Sequence, residues 1–320
     1  MPLPSRVVVA GGTGLLGRAL ADHLAATGHD VIVLTRQRSS ATVDPGHPQA
    51  VESRHAGVRL AHWTPDGTPG PWTPFLDGAC AVVNLAGESI GGGRWTAARK
   101  QRLRASRLDA TRSLVAALAA CGSPPGVFVS ASAVGYYGLR GDRPLTEEDP
   151  AGEDFLARLC ADWEDAARNA RRGGRLAIVR SGVVLDRNGG ALPRMVAPFR
   201  LFAGGPLGSG SQYISWIHLE DWVEMVGWIL ADARVGGPIN ATSPGPVTNR
   251  DFARAVGKIL RRPAWIPAPG FALRALLGEM AGALLLGGQR VVPAKATSLG
   301  YRFRFADIDA ALASVLGPRP

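Results

Sequence analysis

Val7-Val8-Val9-Ala10-Gly11-Gly12-Thr13-Gly14-Leu15-Leu16-Gly17 is an uninterrupted apolar run that enters spaced glycines and then an apolar helix. The run has the composition of a strand covered on both faces, and Leu15, Leu16, Ala19, Leu20 and Leu24 then recur at helical spacing. The glycines fit two registers, Gly12-x-Gly14-x-x-Gly17 or Gly11-x-x-Gly14-x-x-Gly17. Glycine allows a tight turn and a close approach of backbone to a pyrophosphate, and the helix start presents free N–H groups and the positive end of its dipole. With 41 glycines in 320 residues the spacing alone is a weak signal. The strand before it and the helix after it give it meaning, and predict a dinucleotide-binding turn.

The next apolar run, Asp30-Val31-Ile32-Val33-Leu34-Thr35-Arg36, is a second buried strand whose end selects the cofactor. A carboxylate there would accept from a ribose 2′-hydroxyl. This chain offers Arg36, followed by Arg38, Ser39 and Ser40, and a guanidinium matches a 2′-phosphate. NADP is therefore expected over NAD. Further strands are expected at 58–62, 79–85, 127–132 and 176–185, with helices at 94–121 and 155–172 between them. This alternation predicts an α/β protein, a Rossmann-type doubly wound parallel sheet. In the 94–121 helix Lys100, Leu103, Arg107, Ala110 and Leu114 share one stripe, so two cations face inward and suggest phosphate or substrate contacts. After residue 185 the rhythm changes: 186–215 is rich in Gly and Pro and reads as a substrate-side lid, and the chain from 261 reads as a small α-rich unit. The expected division is a cofactor domain of 1–185 and 216–243, with the lid (186–215) and C-terminal domain (244–320) on the substrate side.

Composition narrows the function. The net charge of +10 would allow polyanion binding, but only three of the 36 basic residues are lysine (Lys100, Lys258, Lys295), and no basic tail or aromatic-interleaved motif concentrates the rest. No nucleic-acid partner is expected. Phe271 to Leu286 is interrupted by Arg274, Gly278, Glu279 and Gly282, so no membrane span is expected either. Six residues precede the first strand, too few for a signal peptide, which points to a cytoplasmic protein. Cys80, Cys121 and Cys160 are too scattered for a disulfide framework or a CxxC metal site, and His47, His55 and His62 lack ligand spacing.

Taken together, the strings AGGTGLLG (10–17), LTR (34–36), NLAGESI (84–90), SASAVGYYG (130–138), FLARLCADWE (155–164), RSGVVL (180–185), SWIHLEDW (215–222), GQRVVPAKA and LGYRFRF (within 288–305) resemble the short-chain dehydrogenase/reductase superfamily, in its extended or atypical branch. More narrowly the chain is similar to the epimerase family protein group, which is NAD-dependent epimerase/dehydratase-like and carries a C-terminal domain of unknown function. The resemblance implies NADP(H) held by the glycine turn (Gly11, Thr13, Gly14, Leu15, Leu16, Gly17) and by Thr35 and Arg36. It also implies cofactor contacts at Asn84, Leu85, Ala86, Lys100 and Ser106, and along the segment from Arg180 to Val183.

One departure matters. Active superfamily members use a tyrosine as general acid/base with a lysine four residues on. Here the residues four places after Tyr136, Tyr137, Tyr213 and Tyr301 are Arg140, Gly141, Ile217 and Phe305, so no YxxxK exists. Aligning the helix on Glu164 puts Leu156 and Cys160 where that pair stands. Substitutes are available: Ser130 or Ser132 to polarise a carbonyl, Tyr136 or Tyr137 to donate a proton, Lys100 for positive charge. Each also has a structural reading, the serines as strand-end caps and the tyrosines as loop packing. Cys160 reads as a small core residue, His218 and Asp221 as structural or lid residues, and Glu164 as a partner for loop backbone. Two functions remain open, an NADP-dependent oxidoreductase or epimerase (an isomerase) acting on a sugar nucleotide or small carbonyl compound, and a non-catalytic NADP(H) sensor or regulator. Self-association as a homodimer fits either.

Overall fold

Val7 and Val9 pack on one side of a central sheet and Val8 and Ala10 on the other, because successive side chains of a strand point to opposite faces. Both faces are therefore covered, as the all-apolar run requires. The computed structural model describes residues 5–37, 42–43, 57–170 and 174–317, so Arg38, Ser39, Ser40, His47 and His55 lie outside the described residues.

The strands of the sheet, in chain order, are β1 (Arg6–Ala10), β2 (Asp30–Thr35), β3 (Thr42–Val43), β4 (Val58–His62), β5 (Ala81–Asn84), β6 (Val127–Ala133), then, after a short β7 (Gly141–Leu145) outside it, β8 (Arg175–Ser181) and, much later, β12 (Gly237–Ala241). Their spatial order is β12-β8-β6-β5-β1-β2-β4-β3, with every pairing parallel. The order reverses at β1, which opens a crevice between the carboxyl ends of β1 and β5. Helix α1 (Leu15–Ala26) covers one face, and α2 (Ala97–Ala120) and α3 (Phe155–Arg168) cover the other. Helix α2 starts at Ala97 rather than at residue 94, because the Thr96 side chain caps it by accepting from the Arg99 N–H.

The expected strand over 176–185 is two strands. At Gly182 the chain leaves the sheet, since a β-carbon there would lie 2.5 Å from the Ser215 carbonyl oxygen. The following β9 (Val183–Leu185) pairs instead with β11 (Trp216–His218). The expected lid is also more ordered than its Gly and Pro content suggests. It contains α4 (Leu192–Arg200), whose Leu192, Val196 and Phe199 are buried against α6 (Asn249–Leu260) and α10 (Ile308–Leu316) in a core separate from the two that sandwich the sheet. Two small pairings complete this side: β10 (Tyr213–Ile214) runs antiparallel to β13 (Val247–Thr248), and β14 (Gln289–Val291) runs parallel to β7. Helices α7 (Gly270–Leu277), α8 (Glu279–Ala281) and α9 (Ala294–Ser298) lie between α6 and α10.

His218 begins α5 (Leu219–Ala231), where its Nδ1 accepts from the Glu220 N–H at 3.1 Å. Asp221 accepts from the Arg304 and Phe305 N–H groups, so both residues are structural. Burial holds the His218 imidazole below its ordinary pKa, against the opposing pull of Glu220, Asp221 and Asp186. Protonation would also remove the capping lone pair. A histidine depressed in the fold binds its proton more readily when unfolded, so its stabilising contribution is complete above about pH 6.5 and is lost as the pH falls below it. The expected result is a melting temperature that drops from pH 7 to pH 5 by more in the parent chain than in His218→Asn, which keeps the cap without titrating; equal drops would contradict it.

Candidate functional site

The glycine turn is shaped by what its neighbours exclude. Gly11 has φ +79°, and a β-carbon there would lie 2.6 Å from the Leu85 carbonyl carbon. At Gly17 a β-carbon would fall 2.4 Å from the Gly11 oxygen, so only glycine lets α1 seat this closely on the turn. The Gly14 N–H donates to the Gly11 oxygen (3.1 Å) and Gly14 is the N-cap of α1, with no side chain bonded to the cap. The first N–H groups of α1 thus lie open beside the crevice, with Thr13 exposed next to them. Leu16 packs into the sheet core, and Leu15 lies against Gly189 and Gly190.

At the end of β2, Thr35 is buried and its hydroxyl accepts from the Gln37 N–H (3.2 Å), which fixes the turn into Arg36. Arg36 is exposed and has no hydrogen bond or ion pair with any described residue. At the end of β5, Asn84 is wholly buried; it donates to Thr111 Oγ1 (2.9 Å) and accepts from the Ala86 N–H (3.2 Å), which shapes the Leu85–Ala86 backbone. Ser106 accepts from the Glu88 N–H (3.1 Å) and donates to the Leu103 oxygen (3.0 Å), holding the loop above it. Arg107 crosses this loop. Its guanidinium donates to the Glu88 and Leu103 oxygens, and a β-carbon on Gly87 would lie 3.2 Å from it. Burial holds its pKa below the ordinary value. Lys100, its companion on the expected stripe, is instead paired with Glu279 and lies 4.9 Å from the Phe155 ring centroid.

The Ser130 hydroxyl, buried beside the Asn84 register position, has no hydrogen-bond partner among the described residues. A polar atom left this way at the carboxyl end of a central strand fits a site completed by a bound polar group. With the uncapped helix start, the glycine cradle and the unpaired Arg36, the residues present fit a phosphorylated dinucleotide.

Ser132, Arg180 and Tyr137 are committed elsewhere. Ser132 donates to Glu164 Oε1 (2.7 Å), and the same carboxylate receives Arg180 through Nε (2.8 Å) and Nη2 (2.9 Å) and Arg168 through Nη2 (2.9 Å). Glu164 therefore anchors a buried charge network rather than loop backbone. Arg180 also donates to the Tyr137 hydroxyl (2.9 Å), which donates in turn to Asn240 Oδ1 (2.6 Å). Burial, opposed by Arg180, pushes the Tyr137 phenol up to about 12. Glu147 closes the network by accepting from the Asn240 and Lys295 N–H groups. The Arg180 side chain, expected near the cofactor, is thus held internally, while Val183 is half-buried in β9. Tyr136 differs from Tyr137: it is half-buried, its hydroxyl has no hydrogen bond with a described residue, and the Arg180 guanidinium lies 3.5 Å from its ring centroid.

A cleft of about 390 Å³ separates the start of α3 from the α7–α8 turn, lined by Trp95, Phe155, Leu156, Arg274 and Glu279 among others. Leu156, standing where the family tyrosine would be, faces this cleft. Cys160, one turn on, is buried, and burial followed by Glu164 pushes its thiol up to about 11, which keeps it protonated and unreactive. Sequence reasoning missed Asn240, Glu147 and Glu279, whose partners lie dozens of residues away. Arg107 was marked by its stripe.

The profile of the NAD dependent epimerase/dehydratase family matches residues 7–241, and that of a domain of unknown function (DUF1731) matches residues 268–315. The chain is 39% identical over 313 residues to the epimerase family protein SDR39U1 homolog, chloroplastic, of Arabidopsis thaliana, covering 97% of this chain and 86% of the relative. It is 41% identical over 308 residues to an epimerase family protein of Mycobacterium bovis, covering 96% of each. Among solved structures, human epimerase family protein SDR39U1 (isoform 2) with NADPH superimposes with a TM-score of 0.85 at 35% identity, covering 97% of this chain and 98% of that one.

Proposed function

The chain belongs to the NAD dependent epimerase/dehydratase family, and from that premise we propose that it binds NADP(H) and acts as an oxidoreductase or epimerase on a sugar nucleotide or small carbonyl substrate. The observation that carries the cofactor reading is Arg36 at the end of β2, exposed and without a partner among the described residues, together with the open glycine turn. A relative solved with NADPH supports the same cofactor. In this reading the α1 N-terminus and the glycine turn bind the pyrophosphate, Thr35 and Arg36 bind the 2′-phosphate, and Ser130 supplies a hydrogen bond deeper in the crevice. When bound, NADP(H) supplies a hydride donor or acceptor. The cleft beside Leu156 holds the substrate; the C-terminal domain (244–320) lines it through Arg274, Gly278 and Glu279, and 186–215, none of whose residues lines it, is the proposed lid.

With Leu156 and Cys160 at the usual acid/base positions, the proton donor must come from elsewhere. Ser132 has its proton on Glu164, and Tyr137 is bonded on both sides, so we assign both as positioning residues. Tyr136 is the phenol still available, with a permanent cation against its ring where negative charge would form during donation. Tyr136→Phe is expected to remove turnover and leave NADPH affinity unchanged, whereas Tyr137→Phe costs stability, about 1–3 kcal/mol, by leaving Asn240 and Arg180 short of a partner. Loss of turnover only in the Tyr137 variant would reverse the assignment. The missing YxxxK also favours a second reading, a non-catalytic NADP(H) sensor. The experiment that separates the two follows NADPH consumption over a panel of carbonyl compounds and the stereochemistry of the product over a panel of sugar nucleotides, because an epimerase returns its hydride and consumes no cofactor; binding with neither change selects the sensor.

A further inference from the structure

Seven large hydrophobic residues are exposed among the described residues, and six of them lie on two hydrogen-bonded segments and the helix that follows: Leu201, Phe202, Trp265, Ile266, Phe271 and Leu276. Trp265 and Phe271 are 76% and 77% exposed. The segments that carry them are tied together. The Ile266 N–H donates to the Gly204 oxygen (3.2 Å), the Ala268 N–H to the Pro206 oxygen (3.0 Å), and the Gly208 N–H to the Ala268 oxygen (2.9 Å). The 261–269 segment then runs directly into α7. That helix, Gly-Phe-Ala-Leu-Arg-Ala-Leu-Leu, has no buried residue although six of its eight residues are Phe, Ala or Leu. An apolar helix left open in this way needs a covering surface.

The charge of this face says what covers it. No acidic residue occurs between Arg187 and Leu219, and none between Phe252 and Gly278, so the segments that carry the apolar side chains contribute cations, among them Arg200, Arg261, Arg262 and Arg274; acids stand at the edge of this surface, where Asp154 and Glu279 line the cleft with Arg274. Arg262 lies 4.2 Å from the Phe202 ring centroid, which places charge and apolar surface side by side. Phe202 (φ 60°) and Arg261 (φ 53°) are also the two non-glycine residues with positive φ among the described residues. A left-handed conformation is uncommon for such side chains, and here it occurs twice, once in each of the paired segments.

We propose that this face docks peripherally on an anionic membrane. Tryptophan and phenylalanine settle at the headgroup boundary, arginines pair with anionic headgroups, and an apolar helix lying flat buries the surface that water now covers. A second copy of the same face would bring arginine against arginine, which disfavours a symmetric dimer as the occupant. No helix among the described residues is long and apolar enough to cross a membrane, so the attachment is at the surface. Arg274 of α7, with Gly278 and Glu279 beyond it, also lines the cleft, so a docked membrane would lie next to the substrate side.

The test is cosedimentation of the full chain with vesicles of phosphatidylglycerol mixed into phosphatidylcholine, against phosphatidylcholine alone. The expected result is binding to the anionic vesicles that weakens with added salt, with a blue shift of tryptophan emission that Trp265→Phe abolishes. Arg261→Ala/Arg262→Ala is expected to lower the partition coefficient about thirtyfold, about fivefold for each charge squared over the pair. Trp265→Asp/Phe271→Asp, at exposed positions that leave the circular dichroism spectrum unchanged, is expected to abolish binding. Three results would overturn the proposal: no binding of folded protein to anionic vesicles at low salt, binding that both double variants retain, or a dimer that Trp265→Asp dissociates in a protein that ignores vesicles.

Discussion

Glu164→Gln is expected to destabilise the fold by about 3–5 kcal/mol, the cost of leaving a buried cation without its carboxylate. Glu164 is fully buried and holds Arg180 by two hydrogen bonds, Arg168 by one and the Ser132 hydroxyl by another. Burial works against the charge on Arg180, and the hydrogen bonds and attraction from Glu164 outweigh it, so its pKa lies above the ordinary value. An amide in place of the carboxylate keeps one acceptor and turns an N–H₂ group toward the guanidinium. The loss reaches beyond one pair, because Arg180 also donates to Tyr137 and to the Glu147 carbonyl, and through Asn240 the network reaches the Val292 backbone. Urea denaturation checks the magnitude. Glu164→Leu/Arg180→Met, which removes both charges together, is expected to recover most of the loss; a single variant within about 1 kcal/mol of the parent chain would show that the pair carries little.

Arg36→Ala is expected to weaken NADPH binding by about ten- to a hundredfold, the contribution of a charge-assisted, bidentate contact to a phosphate, and to leave NADH binding within a factor of about two. The asymmetry follows from where the two cofactors differ. NADH lacks the 2′-phosphate, and the rest of the site, the α1 N-terminus and the turn around Gly11 and Gly17, treats both alike. Calorimetric titration of both cofactors against both proteins reads the effect. An equal loss for both would place Arg36 in the general architecture of the turn.

These two residues mark the limit of what a sequence discloses. The sheet was legible because its signals are local: apolar runs, helical spacing, and glycines followed by an apolar helix all act within a few residues. The placement of Arg36 was legible for the same reason, since it follows its strand directly. The Glu164–Arg180 pair was not, because it joins a helix to a strand and is recognised only when both are packed. Lys100 read as an inward cation and found Glu279, 179 residues away, as its partner. The break at Gly182 was hidden because both halves have strand composition, and the chain divides only where the Ser215 backbone leaves no room for a side chain. The segment 186–215 read as a lid from its glycines and prolines, yet Leu192, Val196 and Phe199 recur at helical spacing and bury α4. The two tyrosines were equivalent in sequence, and only the packed structure separates them, by the burial of Tyr137 and its bonds to Arg180 and Asn240.

The open glycine turn and Arg36 are proposed to form one NADP(H) site, and a calorimetric titration of the purified parent chain with NADPH and, separately, with NADH tests it most directly. The expected result is one NADPH bound per chain with an affinity at least about tenfold above that for NADH. Equal affinities, or no heat of binding with either cofactor from a folded protein, would contradict it.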